Sequence, residues 1–242
     1  MNLAIDIGNT RVKAALFNGN ELLEIKHFES LKTFVSEKTF IKKADRAIIG
    51  SVVSGLEEDI KELQNYIPAQ LFATATKIPL KNLYESASTL GSDRLSASIG
   101  SYYLHPNKNV LTIDAGTCIK YNFCNALNEY LGGAISPGIA MRFKALNYYT
   151  SKLPLVDNDF SYTDLIGSTT QHSILSGVLN GALAEIDGII HQYKQQFPDL
   201  ICVLTGGDSE YLAKRLKSSI FVHQNLVLKG LNDILNYNIE HH

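Results

Sequence analysis

The sequence of 242 residues contains no tryptophan and only three cysteines. Cys118, Cys124 and Cys202 are odd in number and show no CxxC spacing, so a disulfide framework is excluded and a reduced, cytoplasmic setting is expected. A dominant charge is missing too: 22 Lys plus Arg stand against 24 Asp plus Glu, a net charge of −2. The chain therefore lacks the polybasic footprint of a protein that binds nucleic acid or an acidic membrane, and neither partner is expected. No run of about 18 apolar residues is free of charge. The nearest approach, residues 173–190, holds Asn180, Glu185 and Asp187 and reads as a buried helix. Asp6 falls where a signal peptide needs its apolar run, which argues against secretion. His27, His105, His172, His191 and His223 are scattered, there is no HExxH, and the cysteines add no zinc spacing. The absence of GxxxxGK[ST] and of GxSxG excludes a Walker-type ATPase and the usual hydrolase elbow. The ending Glu240-His241-His242 reads as a trace of an expression tag and is given no function.

What the chain does have is material for a sizeable core: 45% of its residues are apolar, with 12 Tyr and 10 Phe. At about 150 residues per domain, one large domain or two compact halves are both open. The opening predicts a meander of three strands: residues 3–5, a strand through Val12, Ala14 and Leu16, and residues 21–28 after the Gly19-Asn20 turn. A helix near 31–34, a strong buried strand at 46–53, an amphipathic helix near 56–66 and a strand near 70–73 follow, the order βββαβαβ. Residues 93–104 have helical spacing through Leu95, Ile99, Tyr102 and Tyr103. The opening pattern then returns. Ile113-Asp114-Ala115-Gly116 repeats Ile5-Asp6-Ile7-Gly8 at a separation of 108 positions, again between two strands. That period suits a duplicated domain and is too long for a solenoid. The halves are placed at 1–106 and 107–242. The second continues with helices near 138–149 and 171–196, a strand at 201–204, and helices near 209–216 and 226–236. In the 171–196 helix, the Gly177-x-x-x-Gly181 spacing predicts close packing on a neighbour. Tyr102-Tyr103 and Tyr148-Tyr149 read as core or dimer-contact aromatics.

Five segments bear chemistry. Asp6-Ile7-Gly8-Asn9-Thr10 is either an ordinary hairpin or a phosphate-facing turn. In the second case Gly8 exposes backbone N–H groups, Thr10 adds a donor, Lys13 adds charge, and Asp6 holds Mg²⁺ through water. Asp114-Ala115-Gly116-Thr117 is its second copy, and the pair suggests two jaws on one polyphosphate. Thr205-Gly206-Gly207-Asp208 ends a buried strand before a helix; it allows close approach of a flat ligand, or is a plain turn with Asp208 as a cap. Gly91-Ser92-Asp93-Arg94 has a strong capping reading, and beside it the reading of a general base with an anion-binding arginine. Gly132-Gly133-Ala134-Ile135-Ser136-Pro137-Gly138 reads evenly as packing or as substrate-facing backbone.

In this order, DIGNT, GSDR, DAGT, GGAISPG and TGGD resemble the type III pantothenate kinase family, over residues 6–235, with GSDR the most discriminating piece. Tyr149 to Pro154 and Ile166 to Thr170 add to the likeness. The resemblance implies an α/β, duplicated ribonuclease-H-like (actin-like ATPase) fold, two βββαβα-type domains with an interdomain cleft. It implies transfer of the ATP γ-phosphoryl group, with Mg²⁺, to the primary hydroxyl of pantothenate, the first step of coenzyme A biosynthesis. Asp6, Ile7, Gly8, Asn9, Thr10, Arg11, Val12 and Lys13 then match the first phosphate motif. Thr117 matches the nucleotide-contacting threonine of the second, and Gly206 and Gly207 an adenosine-side contact. Asp93 matches the proton acceptor, Arg94 within Gly91, Ser92 and Asp93 the substrate-carboxylate contact, and Tyr84 and Thr170 further pantothenate contacts. Asp114 matches the acid that helps bind an activating monovalent cation, K⁺ or NH₄⁺. The family implies a homodimer. The chain departs from it at Cys118-Ile119-Lys120, where alanine and then small or hydroxylated residues are more usual, and Lys120 bears on the phosphate and cation contacts. Another small-molecule kinase of the superfamily and a nucleotide-binding regulator are the competing readings.

Overall fold

The computed structural model describes residues 1–241, so the last residue of the tag reading, His242, lies outside the described residues. The chain forms two compact units, one of residues 1–107, 124–131 and 225–242 and the other of residues 108–123 and 132–224.

In the first unit, β1 (Asn2–Ile7), β2 (Val12–Asn18) and β3 (Glu21–Phe28) form the predicted meander. Helices α1 (Leu31–Val35) and α2 (Lys38–Ile41) lead to β4 (Arg46–Ser51), then α3 (Glu57–Gln64) and β5 (Ala69–Leu71). The sheet order is β3-β2-β1-β4-β5, antiparallel through the hairpins and parallel from β1 to β4 to β5. Parallel neighbours need crossovers, which the helices supply. The two-residue alternation of the central strands divides the apolar side chains between two faces. Leu3, Ile5, Val12, Ala14 and Ile49 meet Phe34, Phe40, Ile41 and Leu63 of the three helices on one face. Ala4, Ala15, Phe17 and Ile48 meet the other cluster, which includes Leu95 and Ile99 of α4 (Ser92–Leu104). Between β5 and α4 lie the two-residue strand β6 (Lys81–Asn82) and a 3₁₀ turn (Ala87–Thr89).

The second unit repeats the plan. β7 (Val110–Ala115), β8 (Cys118–Cys124) and β9 (Glu129–Pro137) are followed by α5 (Ile139–Tyr148), α6 (Thr170–Gln196), β10 (Ile201–Thr205), α7 (Ser209–Arg215) and β11 (Phe221–Val222). The order β9-β8-β7-β10-β11 matches that of the first sheet strand for strand, with β7, β10 and β11 parallel. The start of β9 also pairs with β6, Lys81 with Glu129 and Asn82 with Tyr130, within the first unit. The 27-residue α6 is long and apolar enough to cross a membrane by composition. Its stripe of Ile174, Leu175, Val178, Leu179, Ile186 and Ile190 instead fills the second core beside Leu111, Ile113 and Tyr121, as the sequence predicts.

Three expectations are corrected. The halves do not divide at 106/107 alone: α8 (Leu226–Glu240) belongs to the first unit. Leu228, Leu231, Ile234 and Leu235 form a helical stripe that completes its core, and Asn2 Nδ2 donates to Asn232 Oδ1 at 2.9 Å and Asn236 Oδ1 at 2.7 Å. Gly177 and Gly181 do not make a close packing contact, because a Cβ at either position would meet nothing within 4 Å. Of the core and dimer-contact readings of Tyr148 and Tyr149, the core one is removed, since they are 80% and 81% exposed, with their rings edge to face; the dimer-contact one stays open.

Candidate active site

In the first unit the Asp-x-Gly hairpin is closed by a hydrogen bond from Gly8 N to Arg11 O of 3.1 Å. Ile7 and Val12 are buried in the core, which anchors the turn and leaves only their main chain available to a ligand. Asn9, Thr10 and Arg11 are exposed at its tip. Asp6 and Lys13 face each other across the ladder, both half-buried. Asp6 is also in register with Gly50 of β4, and the next β4 residue, Ser51, accepts a hydrogen bond at its carbonyl from Ser92 Oγ of 3.0 Å. The ladder and this bond bring the DIGNT hairpin and the GSDR segment to one end of the same sheet.

At the head of α4 neither Ser92 nor Asp93 is the N-cap, while the dipole part of the capping reading holds for Asp93. Gly91 is the N-cap and supplies no side chain, and Ser92 is tied to β4. Asp93 Oδ1 accepts from the first-turn N–H of Arg94 at 2.8 Å. This fixes the carboxylate at the positive end of the helix, where a negative charge is stabilised. Arg94 is only 6% exposed, and its guanidinium carbon lies 5.4 Å from the centre of the Tyr84 ring. Tyr84 in turn lies 6.2 Å from Tyr130, whose phenol burial pushes well above its ordinary pKa. The structure thus joins Tyr84, Asp93 and Arg94 in one cluster; Tyr130 had no sequence signal. Beside it, a cavity of about 760 Å³ is lined in part by Ser51, Val52, Leu90, Gly91, Ser92 and Leu95.

In the second unit three glycine-containing segments converge on one turn. Gly116 N donates to Cys118 O at 3.0 Å, Gly138 N to Thr117 O at 3.2 Å, and Asp208 N to Ala115 O at 3.1 Å. β7 and β10 are parallel, with Thr205 opposite Asp114, so both loops leave the carboxyl ends of adjacent strands. Gly206 has φ +99° and its α-carbon is so close to β7 that a Cβ would stand 2.2 Å from Ala115 O. No L side chain suits that position. Thr117 and Gly207 are exposed. Thr170 lies apart from this turn as the exposed first residue of α6, where Thr169 Oγ1 caps the helix by accepting from His172 N at 3.1 Å.

Asp208 does not act as a side-chain cap for α7. Burial pushes its carboxyl up to about 6. From about pH 4 to 6 the folded chain therefore binds more protons than the unfolded one, and stability falls as pH rises through that window. Asp208→Asn is expected to stabilise the protein at about pH 7.5 by about 1 kcal/mol, after allowance for solvent screening, and to have no effect at about pH 4. Melting curves at the two pH values check this; an equal shift at both would refute it.

A further polar network was not legible in the sequence. Glu185 of α6 receives Tyr121 Oη at 3.0 Å, Ser136 Oγ at 2.5 Å and Arg142 Nη2 at 2.5 Å. Arg142 Nε also donates to Pro137 O at 2.9 Å, which holds the GGAISPG segment in place. Burial opposes ionisation of Glu185, but the three donors prevail and lower its pKa. The partners come from three elements, and only the SPG segment carried any signal.

Asp114 receives a bond of 3.0 Å from Lys120 Nζ. Among the described residues, no group of three or more His, Cys, Asp and Glu could hold a metal ion. A single carboxylate such as Asp6 is nonetheless the donor set expected of Mg²⁺ that travels on phosphate oxygens.

A fold of two like-ordered sheets, each opening on an Asp-x-Gly hairpin, is that of the actin-like ATPase class. The ROK family glucokinase from Streptomyces griseus, solved with glucose and AMPPNP, shares that fold at a TM-score of 0.57, with 10% identity over 96% of this chain and 98% of its own. A family model described as type III pantothenate kinase matches residues 2–192. Relatives of that description from Christiangramia forsetii and Flavobacterium johnsoniae are 44% and 39% identical, over 98% and 99% of this chain and 99% of each relative. The chain belongs to the type III pantothenate kinase family.

Proposed function

We propose that this protein transfers the γ-phosphoryl group of ATP to the primary hydroxyl of pantothenate, giving 4'-phosphopantothenate for coenzyme A synthesis. The observation that carries the assignment of roles is the head of α4, where a fixed carboxylate adjoins a buried arginine. Asp93 accepts the hydroxyl proton as the oxygen attacks phosphorus. Arg94, held by Tyr84, pairs with the substrate carboxylate, and Gly91, Ser92 and Thr170 complete that recognition. Thr10, Lys13, Thr117 and the main-chain N–H groups of residues 7–12 stabilise the phosphates, and Gly206 and Gly207 admit the adenosine. Asp6 is the residue that would hold, through water, a Mg²⁺ carried on the phosphates, and that ion would supply charge neutralisation there. The monovalent cation that the family likeness attaches to Asp114 does not fit, because an ammonium group is already on that carboxylate.

We further place the protein in the cytoplasm, in keeping with three unpaired cysteines, and as a homodimer, for which the exposed Tyr148, Tyr149, Leu165 and Ile166 are apolar contact candidates. ATP consumption measured with and without pantothenate tests the activity. Turnover is expected only when pantothenate is present; ATP hydrolysis indifferent to it, or none at all, overturns the reading and favours a regulator.

A further inference from the structure

We propose that Lys120 supplies in cis the positive charge that a monovalent cation would otherwise bring to Asp114, so that this kinase works without K⁺ or NH₄⁺. The inference rests on the kinase reading above for its activity measurement, and on the geometry of the second hairpin for its physical basis.

Asp114 is the next-to-last residue of β7, and Lys120 the third of β8. Ile113 and Ala115 on either side of the acid, and Ile119 and Tyr121 on either side of the lysine, all enter the second core. By strand alternation, Asp114 and Lys120 are left on the opposite face, pointing the same way. The backbone of each is pinned by buried neighbours, so the pair is set by the sheet and not by a chance meeting of surface side chains. The Nζ–Oδ2 distance is 3.0 Å, and the side chains are only 20% and 14% exposed. At such exposure, salt screens the charges poorly. A second cation brought to the same carboxylate would meet strong repulsion from the ammonium group.

Lysine is chemically suited to the exchange. Its ammonium is a compact point charge with three donors, an alkylated form of NH₄⁺ itself. The first hairpin carries the same pairing of residue types, Asp6 opposite Lys13 in the ladder, so an acid–lysine pair beside an Asp-x-Gly turn occurs in both repeats of this chain.

The test compares wild type and Lys120→Ala in buffers of equal ionic strength containing choline, K⁺ or NH₄⁺, by pantothenate-dependent turnover and by thermal melting. Wild-type turnover is expected to agree within about twofold in all three, whereas the variant loses about tenfold or more in choline and regains most of it in K⁺ or NH₄⁺. Melting should show a K⁺-specific rise for the variant alone, since a bound ion stabilises only a fold that has a site for it. Lys120→Met serves in the same way if the alanine variant does not fold. A wild type activated several-fold by K⁺ overturns the proposal, as does a variant indifferent to the cation in both measurements. If no buffer supports turnover, the kinase reading has failed and melting alone decides the matter. A K⁺-specific rise confined to the variant then supports the proposal, and any other pattern overturns it.

Discussion

Asp93→Asn is expected to lower kcat by about 10²–10⁴-fold while ATP affinity stays within about twofold. Asparagine has the same shape, and its side-chain oxygen can still accept the 2.8 Å bond from Arg94 N, so the first turn of α4 should survive. What is lost is the ability to take a proton from the attacking hydroxyl. A carboxylate held at 2.8 Å by a first-turn N–H is already oriented, so the substitution isolates proton transfer from positioning. ATP is assigned to other residues, so its affinity should not follow kcat down. Steady-state kinetics, ATP titration calorimetry and a melting curve check the three parts. Near-wild-type turnover would remove Asp93 as the base, and a parallel collapse of ATP affinity would reassign it to nucleotide binding.

Gly230→Ala should destabilise the protein by about 3 kcal/mol, a fall of about 6–12 °C in melting temperature, and impair catalysis as well. Gly230 is in α8, where that helix crosses α4, and an added Cβ would stand 1.8 Å from Ser96 O and 3.1 Å from Gly100 N. Both are backbone atoms of α4, so no side chain can swing aside and the helices must separate. The displaced helix is the one that carries Ser92, Asp93 and Arg94 at its head. Gly177→Ala is the control. It adds a methyl to a helix at a site with nothing within 4 Å and should be neutral or stabilising by up to about 1 kcal/mol. Melting temperatures and kcat of the two variants decide; similar effects from both would show that the helix crossing is not what Gly230 protects.

Those two glycines also show where sequence reading reaches its limit. Gly177 and Gly181 have the spacing associated with close helix contacts and make none, whereas Gly230 has no motif and has less room for a Cβ than the other glycines of the first unit. Spacing describes one helix, but clearance depends on what packs against it. The hairpins were legible because a turn is local: Asp6, Gly8 and Thr10, and again Asp114, Gly116 and Thr117, are within five residues of one another. The strand and helix order was legible for a similar reason, since alternation and helical spacing are properties of short windows. The two-residue strands β6 and β11 were not, because so short a segment has no period and exists only by pairing with a neighbour.

The duplication itself and the kinship with the pantothenate kinases were determined by the sequence alone, because each is written in short motifs and their order; Asp93 as candidate base is what that kinship implies. Tertiary structure decided what depends on residues far apart in the chain. It assigned α8 to the first unit, because that apolar stripe is needed to cover a sheet formed more than 150 residues earlier. It gathered Glu185, Tyr121, Ser136 and Arg142 into one network, and it set the ammonium of Lys120 on Asp114. The sequence showed that lysine as a departure from the family; only the alternation of two adjacent strands, pinned by a common core, made the departure a cation.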